Sequence, residues 1–140
     1  MTQDELKLYE IYLATAEKVS DRRAGANAWM LSITSALTAL QGLLKADSGL
    51  SAERVGALGW SIPAAGIIVA VAWLALLESY RQLNAAKFAV LGELEGDFRH
   101  RPLTREREVY KAAGRHAFTA LEPIVPAAFL LLFAAQLIAG

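Results

Sequence analysis

The sequence of 140 residues lacks several features on which common classes of protein depend. It has no cysteine, which excludes a disulfide framework and any cysteine-ligated metal or redox centre. Its 14 basic residues are balanced by 14 acidic ones, so the basic excess typical of nucleic-acid-binding domains is missing. It also lacks charge over three long stretches, and this uneven distribution is the most informative feature of the composition.

Hydrophobic residues make up 55% of the chain and are concentrated where charge is missing. No charged residue occurs in 24–44, in 55–77 or after Glu122. As helices, the first two stretches are long enough to cross the roughly 30 Å hydrocarbon core of a bilayer. Three such stretches leave too little polar chain to cover them in a soluble fold. The sequence therefore predicts an all-α integral membrane protein with transmembrane helices at 24–44, 55–77 and 117–140.

The basic residues predict the orientation of these spans. Four precede the first span and eight lie between residues 80 and 116, whereas the loop 45–54 has only Lys45 and Arg54. Cytoplasmic loops carry an excess of lysine and arginine, so we expect the N-terminus and the 80–116 segment on the cytoplasmic side of the membrane. The C-terminus is then on the far side. The acidic start of the chain is unlike a cleavable signal peptide, which makes the first span an anchor.

The polar segments are predicted to be helical extensions of one membrane domain. Residues 2–23 begin with a capping box, Thr2 and Glu5, and no breaker separates them from the first span. Residues 78–97 should continue the second span as a rod. Its apolar residues, such as Leu83 and Leu94, recur at steps of three and four and favour a partner helix, for which 2–23 is the candidate within a chain or between chains.

The segment 98–116 is a basic linker that leads to the third span. Pro102 is predicted to break the chain, with Thr104 as the cap of a following amphipathic helix. The basic side chains of this helix either contact anionic lipid headgroups or simply anchor the segment on the cytoplasmic side.

Polar residues on one face of the first span have two interpretations. Thr34, Thr38 and Gln41 share this face with Asn27 at helical spacing. Small and hydroxyl-bearing residues allow close packing and hydrogen bonds between helices in lipid. The face therefore either packs against another helix or lines a polar pathway.

Glu122 is the one charged residue of the predicted third span. It precedes Pro123, and Pro126 follows one turn later, so a kink or a helix start is expected there. A carboxylate near a span is costly unless it is paired or hydrated. Glu122 is either part of a proton or ion pathway or a structural residue at the membrane boundary. In the structural role it would be a cap or the ion-pair partner of Arg22, Arg23 or Arg81.

Catalysis and metal binding have no support in the sequence. His100 and His116 lack companions at ligand spacing. Nucleophile motifs, phosphate loops and paired catalytic carboxylates are missing, and the acidic run 93–97 is interpreted as a helix end. We expect no enzyme activity, no metal site and no cofactor.

Three stretches together resemble small bacterial membrane proteins of the RipA type. KLYEIYLATAEKVSDRRAGANAW (7–29) is similar to their N-terminal segment, and SYRQLNAAKFAVLGELE (79–95) to the rod after their second span. LEPIVPAAFLLLF (121–133) is similar to the opening of their third span. The resemblance implies a homo-octameric ring in the cytoplasmic membrane and a link with stress adaptation, host interaction or defence. A CRISPR-associated accessory membrane protein of similar architecture behaves as a pore.

The resemblance also implies a polar network through which neighbouring subunits associate at the cytoplasmic membrane boundary. We expect Arg22 or Arg23 of one subunit to pair with Glu122, or with the SYRQLN run, of a neighbour. The positions of this network are Arg22, Arg23, Asn27, Ser79, Tyr80, Arg81, Asn84, Lys87 and Glu122.

Two functions are compatible with such a ring. A pore or gated channel would have a lumen lined by a polar helix face, such as that of Thr34, Thr38 and Gln41. A non-conducting scaffold would present its cytoplasmic helices to a soluble partner, which the sequence does not identify. In either case the expected partners are further copies of the chain and membrane lipids, and no nucleic acid.

Overall fold

The computed structural model describes residues 2–46, 49–97, 101–113 and 121–139. Every regular element in these ranges is a helix, which confirms the predicted all-α class. Two long helices make up most of the chain, and a short polar helix and a short apolar helix follow them. The helices are α1 (Gln3–Lys45), α2 (Ala52–Leu94, followed by a 3-10 turn at Glu95–Asp97), α3 (Pro102–Ala112) and α4 (Ile124–Ala139).

Helix α1 begins where the capping box predicts. The Thr2 amide donates to the Glu5 carboxylate at 2.6 Å, and the Glu5 amide donates to the Thr2 hydroxyl at 3.3 Å. The helix continues without a break from the polar N-terminal segment through the predicted first span. Beyond its end, Gly49 has a φ of +64°, a left-handed conformation that glycine adopts without strain as the chain turns toward α2.

Contacts within the chain divide it into two compact units. The polar unit combines Met1–Ala24 with Glu78–Ala120, and the apolar unit combines Gly25–Leu77 with Leu121–Gly140. Helices α1 and α2 each contribute to both units. The division follows the charges, because α1 enters the apolar unit two residues after Arg23 and α2 leaves it at Glu78, the first charged residue after Arg54.

In the polar unit, the N-terminal part of α1 packs on the C-terminal part of α2. Of the two pairings that the sequence leaves open, within a chain or between chains, the structure has the one within a chain. The predicted rod seam is confirmed only in part, because Leu94 packs on this core whereas Leu83 is 45% exposed and Leu91, outside the seam, is fully buried. A strict seven-residue repeat drifts off the contact face of a straight helix with 3.6 residues per turn. The core consists of Tyr9, Ala16 and Leu91, with Tyr12, Leu13, Phe88, Leu94 and Leu103 packed around it.

In the apolar unit, α2 packs closely against α4 at Gly66. A Cβ atom built on Gly66 would lie 2.6 Å from the ring of Phe133, which is fully buried. The Phe129 ring lies 6.2 Å from that of Phe133 and 6.5 Å from that of Trp73, measured between centroids. Glycine at position 66 therefore allows an aromatic cluster to fill the space between the helices.

Among the described residues, one helix is long and apolar enough to cross a membrane, namely α2. Helix α4 is apolar and has 16 residues, and positions 117–120 and 140 of the predicted third span lie outside the described residues. Helix α1 does not pass the same test, because Asn27, Thr34, Thr38 and Gln41 lower the hydropathy of its apolar half. The three spans therefore stay a prediction.

Candidate functional site

Glu95 is a buried carboxylate at the junction of three helices in the polar unit. It follows the last residue of α2 and is fully buried. Its Oε1 accepts hydrogen bonds from the Tyr9 hydroxyl of α1 at 3.1 Å and from the Leu103 amide of α3 at 2.9 Å. Its Oε2 accepts from the Thr104 amide at 3.1 Å and the Thr104 hydroxyl at 2.9 Å. One side chain thus joins the end of α2 to both α1 and α3.

The beginning of α3 explains why an acceptor is needed at this point. Pro102 occupies the first turn, where its missing N–H removes no helix bond, and Arg101 before it makes no side-chain cap. The free amides of a first turn, with the positive end of the helix dipole, attract an anion. Glu95 supplies that anion from another helix. The predicted cap at Thr104 is wrong, because Thr104 lies inside the first turn and donates to Glu95.

The hydrogen bonds keep Glu95 ionised despite its burial. Burial by itself would raise the pKa of Glu95, but the donors of Leu103, Thr104 and Tyr9 outweigh it and lower the pKa below its ordinary value of 4.5. Conversely, burial raises the pKa of Tyr9, and the hydrogen bond to the charged Glu95 carboxylate raises it further. At neutral pH the junction therefore pairs a carboxylate anion with a protonated tyrosine.

A second polar contact between α1 and α2 in this unit involves Lys87. Its ammonium group donates to the Thr15 hydroxyl at 3.0 Å and lies 5.9 Å from the centroid of the Tyr12 ring, within the range of a cation–π interaction. Three residues earlier, the buried Oδ1 of Asn84 has no hydrogen-bond partner in the described structure. Lys87 therefore contacts α1 of its own chain.

In the apolar unit, Asn27 joins α1 to α2 through Trp73. The indole N–H of Trp73 donates to Oδ1 of Asn27 at 2.7 Å, and Trp73 is only 3% exposed. Both residues line a cavity of about 220 Å³ together with Glu122 and Val125. A hydrogen bond of this kind satisfies the indole donor in a segment that is otherwise apolar.

The two prolines near Glu122 mark a helix start. Helix α4 begins at Ile124, and the Ala127 amide already donates to the Pro123 carbonyl at 3.1 Å. Glu122 lies in the turn before the helix. Pro126 lies in the first turn of the helix, where proline is well tolerated. Of the two structural alternatives left open by the sequence, a kink or a start, the structure selects the start.

Gln41 compensates a backbone defect that Pro63 creates in α2. Pro63 lies inside the helix and has no N–H to donate to the carbonyl four residues earlier, that of Gly59. The Nε2 of Gln41 donates to this Gly59 carbonyl at 3.2 Å, and Gln41 is 3% exposed. In an apolar environment an unpaired backbone carbonyl is costly. By donating to this carbonyl, Gln41 removes part of the cost of having proline inside α2.

We expect Gln41→Leu to destabilise the protein only while Pro63 is present. The substitution should lower the free energy of unfolding by about 1–3 kcal/mol, the cost of one buried unpaired polar group. In Pro63→Ala the Gly59 carbonyl regains a helix donor, so the same leucine should cost little there. Thermal unfolding of the four proteins of this double-mutant cycle in mild detergent measures the difference. Equal costs in both backgrounds would contradict the pairing.

Gln41 and Gln136 also line a second cavity in the apolar unit. Its volume is about 240 Å³, and its wall includes Lys45 and Trp60. The Oε1 atoms of both glutamines are buried and have no hydrogen-bond partner in the described structure. This cavity is large enough to hold water, which would satisfy the two amide oxygens.

The structure assigns the predicted site residues to both units. Arg81 forms a bidentate, exposed ion pair with Glu78 of its own helix, at 2.9 Å for each hydrogen bond. Thr34 is fully buried and donates to the Met30 carbonyl of its own helix, and Thr38 likewise donates to the Thr34 carbonyl. The pairing of Arg22 or Arg23 with Glu122 of a neighbour stays a prediction. Network members in the polar unit are Arg22, Arg23, Ser79, Tyr80, Arg81, Asn84 and Lys87, and those in the apolar unit are Asn27 and Glu122.

Sequence reasoning missed the partners Tyr9, Trp73 and Glu95. The acidic run predicts only a helix end at Glu95, although an acid seven residues before Pro102 is a possible signal of a cap supplied from outside α3. Trp73 carried no signal, because tryptophan is common in apolar stretches. Among the described residues, no group of three or more potential metal ligands occurs.

The family model of the octameric membrane protein family (8xMP) matches residues 6–140. No curated protein and no solved structure matches the chain.

Proposed function

Because the chain belongs to the octameric membrane protein family, we propose that eight copies form a ring in the bacterial inner membrane, each chain crossing it three times. The uncharged stretches 24–44, 55–77 and 117–140 support three spans. The N-terminal and 80–116 segments together hold 12 of the 14 basic residues, which supports their cytoplasmic location, with the C-terminus on the far side. Lipids would surround the ring.

The ring is proposed to be a non-conducting scaffold. The observation that carries this proposal is the burial of the polar face of α1 inside its own chain, with Thr34 fully buried and Gln41 3% exposed. Gln41 is bonded to the Gly59 carbonyl and Asn27 to Trp73. The polar face that would have to line a lumen is therefore packed against other helices of the same chain. Such a scaffold catalyses no reaction and needs no cofactor.

The polar unit is the part that this scaffold would present to soluble partners. Helix α3 has no buried residue of its own, and it carries Arg105, Arg107 and Lys111 on its surface. Val109 and Tyr110 are exposed beside these charges, at 63% and 41%. A surface that combines basic and apolar side chains suits a protein partner or an anionic lipid surface. A role in stress response or defence is compatible with a scaffold and with a pore.

Ion flux separates the two functions. Purified octamer in liposomes that enclose a potassium gradient should dissipate it no faster than protein-free liposomes, and added gramicidin should collapse it in both. Image analysis of the same octamer should show a centre closed by protein or lipid. Flux that rises with the amount of protein, together with an open lumen, would contradict the scaffold and support a pore.

A further inference from the structure

The part of α1 in the apolar unit carries an exposed row of small side chains. These residues recur at alternating steps of three and four, so they share one face of the helix. A Cβ atom built on Gly25 or on Gly42 would meet no other segment of the chain within 4 Å. The row is about 26 Å long at 1.5 Å per residue, close to the thickness of the hydrocarbon core. This small-residue stripe consists of Gly25, Ala28, Ser32, Ser35, Ala39 and Gly42, all exposed.

Helix α4 carries a complementary row of large side chains. Ile124, Leu131 and Ile138 follow each other at steps of seven and are 58%, 72% and 87% exposed. They lie on the side of α4 opposite the fully buried Phe133, because two residues correspond to about 200° of rotation around a helix. We call these three residues the aliphatic ridge. Nothing within the described chain covers it.

The residues that line the two cavities of the apolar unit show which positions of α1 and α4 lie at the same level. One cavity is lined by Asn27 and Ala28 of α1 and by Glu122 and Val125 of α4. The other is lined by Gln41 and Leu44 of α1 and by Gln136 and Leu137 of α4. Helices α1 and α4 therefore run parallel, with residues about 96 positions apart at the same level. By this relation Ala28 is level with Ile124, Ser35 with Leu131 and Gly42 with Ile138.

A ring places neighbouring copies at equal depth, because its rotation axis is perpendicular to the membrane. Each copy must also offer two different, complementary faces, since head-to-tail contacts are the ones that close a ring. Small residues on one helix allow a neighbouring helix to approach closely in lipid. The stripe and the ridge meet these requirements. They differ in shape, and the ridge, about 21 Å long, lies level with the stripe from Ala28 to Gly42.

We propose that the small-residue stripe of one protomer receives the aliphatic ridge of the next, with Ser35 facing Leu131. The occupant of the stripe is thus a second copy of this chain, which the octameric family requires. The proposal rests on the proposed membrane ring, but not on whether that ring conducts ions.

Disulfide crosslinking tests this interface directly, because the chain has no cysteine. The variant Ser35→Cys/Leu131→Cys, oxidised in native membranes, should give a ladder of multimers on non-reducing gels. Ser35→Cys alone and Leu131→Cys alone should stay monomeric, because the two faces are different. Ser35→Cys/Ile68→Cys, whose second position is equally exposed on α2, should also stay monomeric. A ladder from this control, or monomers alone from the stripe–ridge pair in an intact octamer, would overturn the proposal.

Bulky substitutions provide a second measurement that needs no crosslink. Ala39→Leu fills the stripe and should shift the native mass in mild detergent from the octamer to smaller species. Ala72→Leu makes the same change at an exposed position of α2 and should leave the octamer intact. An octameric Ala39→Leu protein, or dissociation by Ala72→Leu alone, would count against the assignment. Because both measurements report assembly, a failure of the flux prediction leaves them unaffected.

Discussion

Replacing Glu95 with alanine is expected to unfold α3, while the parts of α1 and α2 in the polar unit stay helical and in contact. Helix α3 has 11 residues, none of them buried, and isolated helices of this length are marginal in water. Its main attachments are the Glu95 carboxylate and the half-buried Leu103. Hydrogen bonds to a charged group contribute about 1.5–3 kcal/mol each, so the loss should exceed the stability of the docked helix. Hydrogen exchange of the α3 amides measures this local opening.

Two further variants test whether the effect depends on the Glu95 carboxylate or on any change at this end of α2. Glu95→Gln retains one acceptor oxygen and replaces the other with an NH2 group. Two donors then lose their acceptor and two keep theirs, so the increase in exchange should be intermediate. Glu93→Ala removes an exposed acid from the same helix end and should leave the exchange of α3 unchanged. Protection of α3 that survives Glu95→Ala would show that Leu103 packing alone holds the helix.

The same carboxylate makes the docking of α3 sensitive to acid. Because the folded-state pKa of Glu95 lies below the ordinary value of 4.5, its contribution is fully present above that value. It is lost as the pH falls below 4.5 and through the lowered pKa, and it does not change around neutral pH. The protection factors of the α3 amides, taken relative to an unfolded peptide at the same pH, should therefore fall in acid in the native protein and should lack this transition in Glu95→Gln.

Replacing Gly66 with alanine is expected to destabilise the apolar unit more than its single added methyl group suggests. The new Cβ atom would stand 2.6 Å from the Phe133 ring, well inside van der Waals contact, and Phe133 is fully buried. Overpacking of this kind costs about 1–3 kcal/mol. Thermal unfolding in mild detergent should show the loss.

Phe133→Leu provides the rescue for this clash. Combined with Gly66→Ala it should cost less than the sum of the two single changes, since the smaller side chain leaves space for the methyl group. Gly56→Ala is the matched control, because a Cβ atom there meets nothing within 4 Å, and alanine should be neutral or slightly stabilising. Strictly additive losses in the double variant would contradict the proposed contact between Gly66 and Phe133.

The helices themselves were largely predictable from the sequence. The Thr2–Glu5 capping box fixed the start of α1, and the lack of breakers predicted that both long helices continue beyond their apolar stretches. The predicted beginning of α3 is three residues late, with the cap at Thr104 instead of Arg101, because Pro102 is the first residue of the helix and not a break. Local signals of this kind depend only on neighbouring residues, which is why they can be read from one sequence.

The partners of the polar residues could not be predicted in the same way. Glu95 bonds to Tyr9, 86 positions away, and Trp73 bonds to Asn27, 46 positions away. Such pairs depend on the register between helices, and a shift of one residue rotates a side chain by about 100° away from its partner. In the rod, the predicted seam residue Leu83 is exposed and Leu91 is buried instead, so a small error in register is enough to misplace a contact.

The sequence alone determined where this chain is polar and where it is apolar, because charge and hydropathy are properties of each residue. That distribution predicted helices throughout, a division at the membrane boundary and the cytoplasmic location of the basic segments. Only the tertiary structure decided what the polar residues inside those helices do. Gln41 satisfies the Gly59 carbonyl that Pro63 leaves without a donor, and Glu95 satisfies the first turn of α3. Both roles exist because a buried polar group must find its partner across the fold when its own helix cannot supply one.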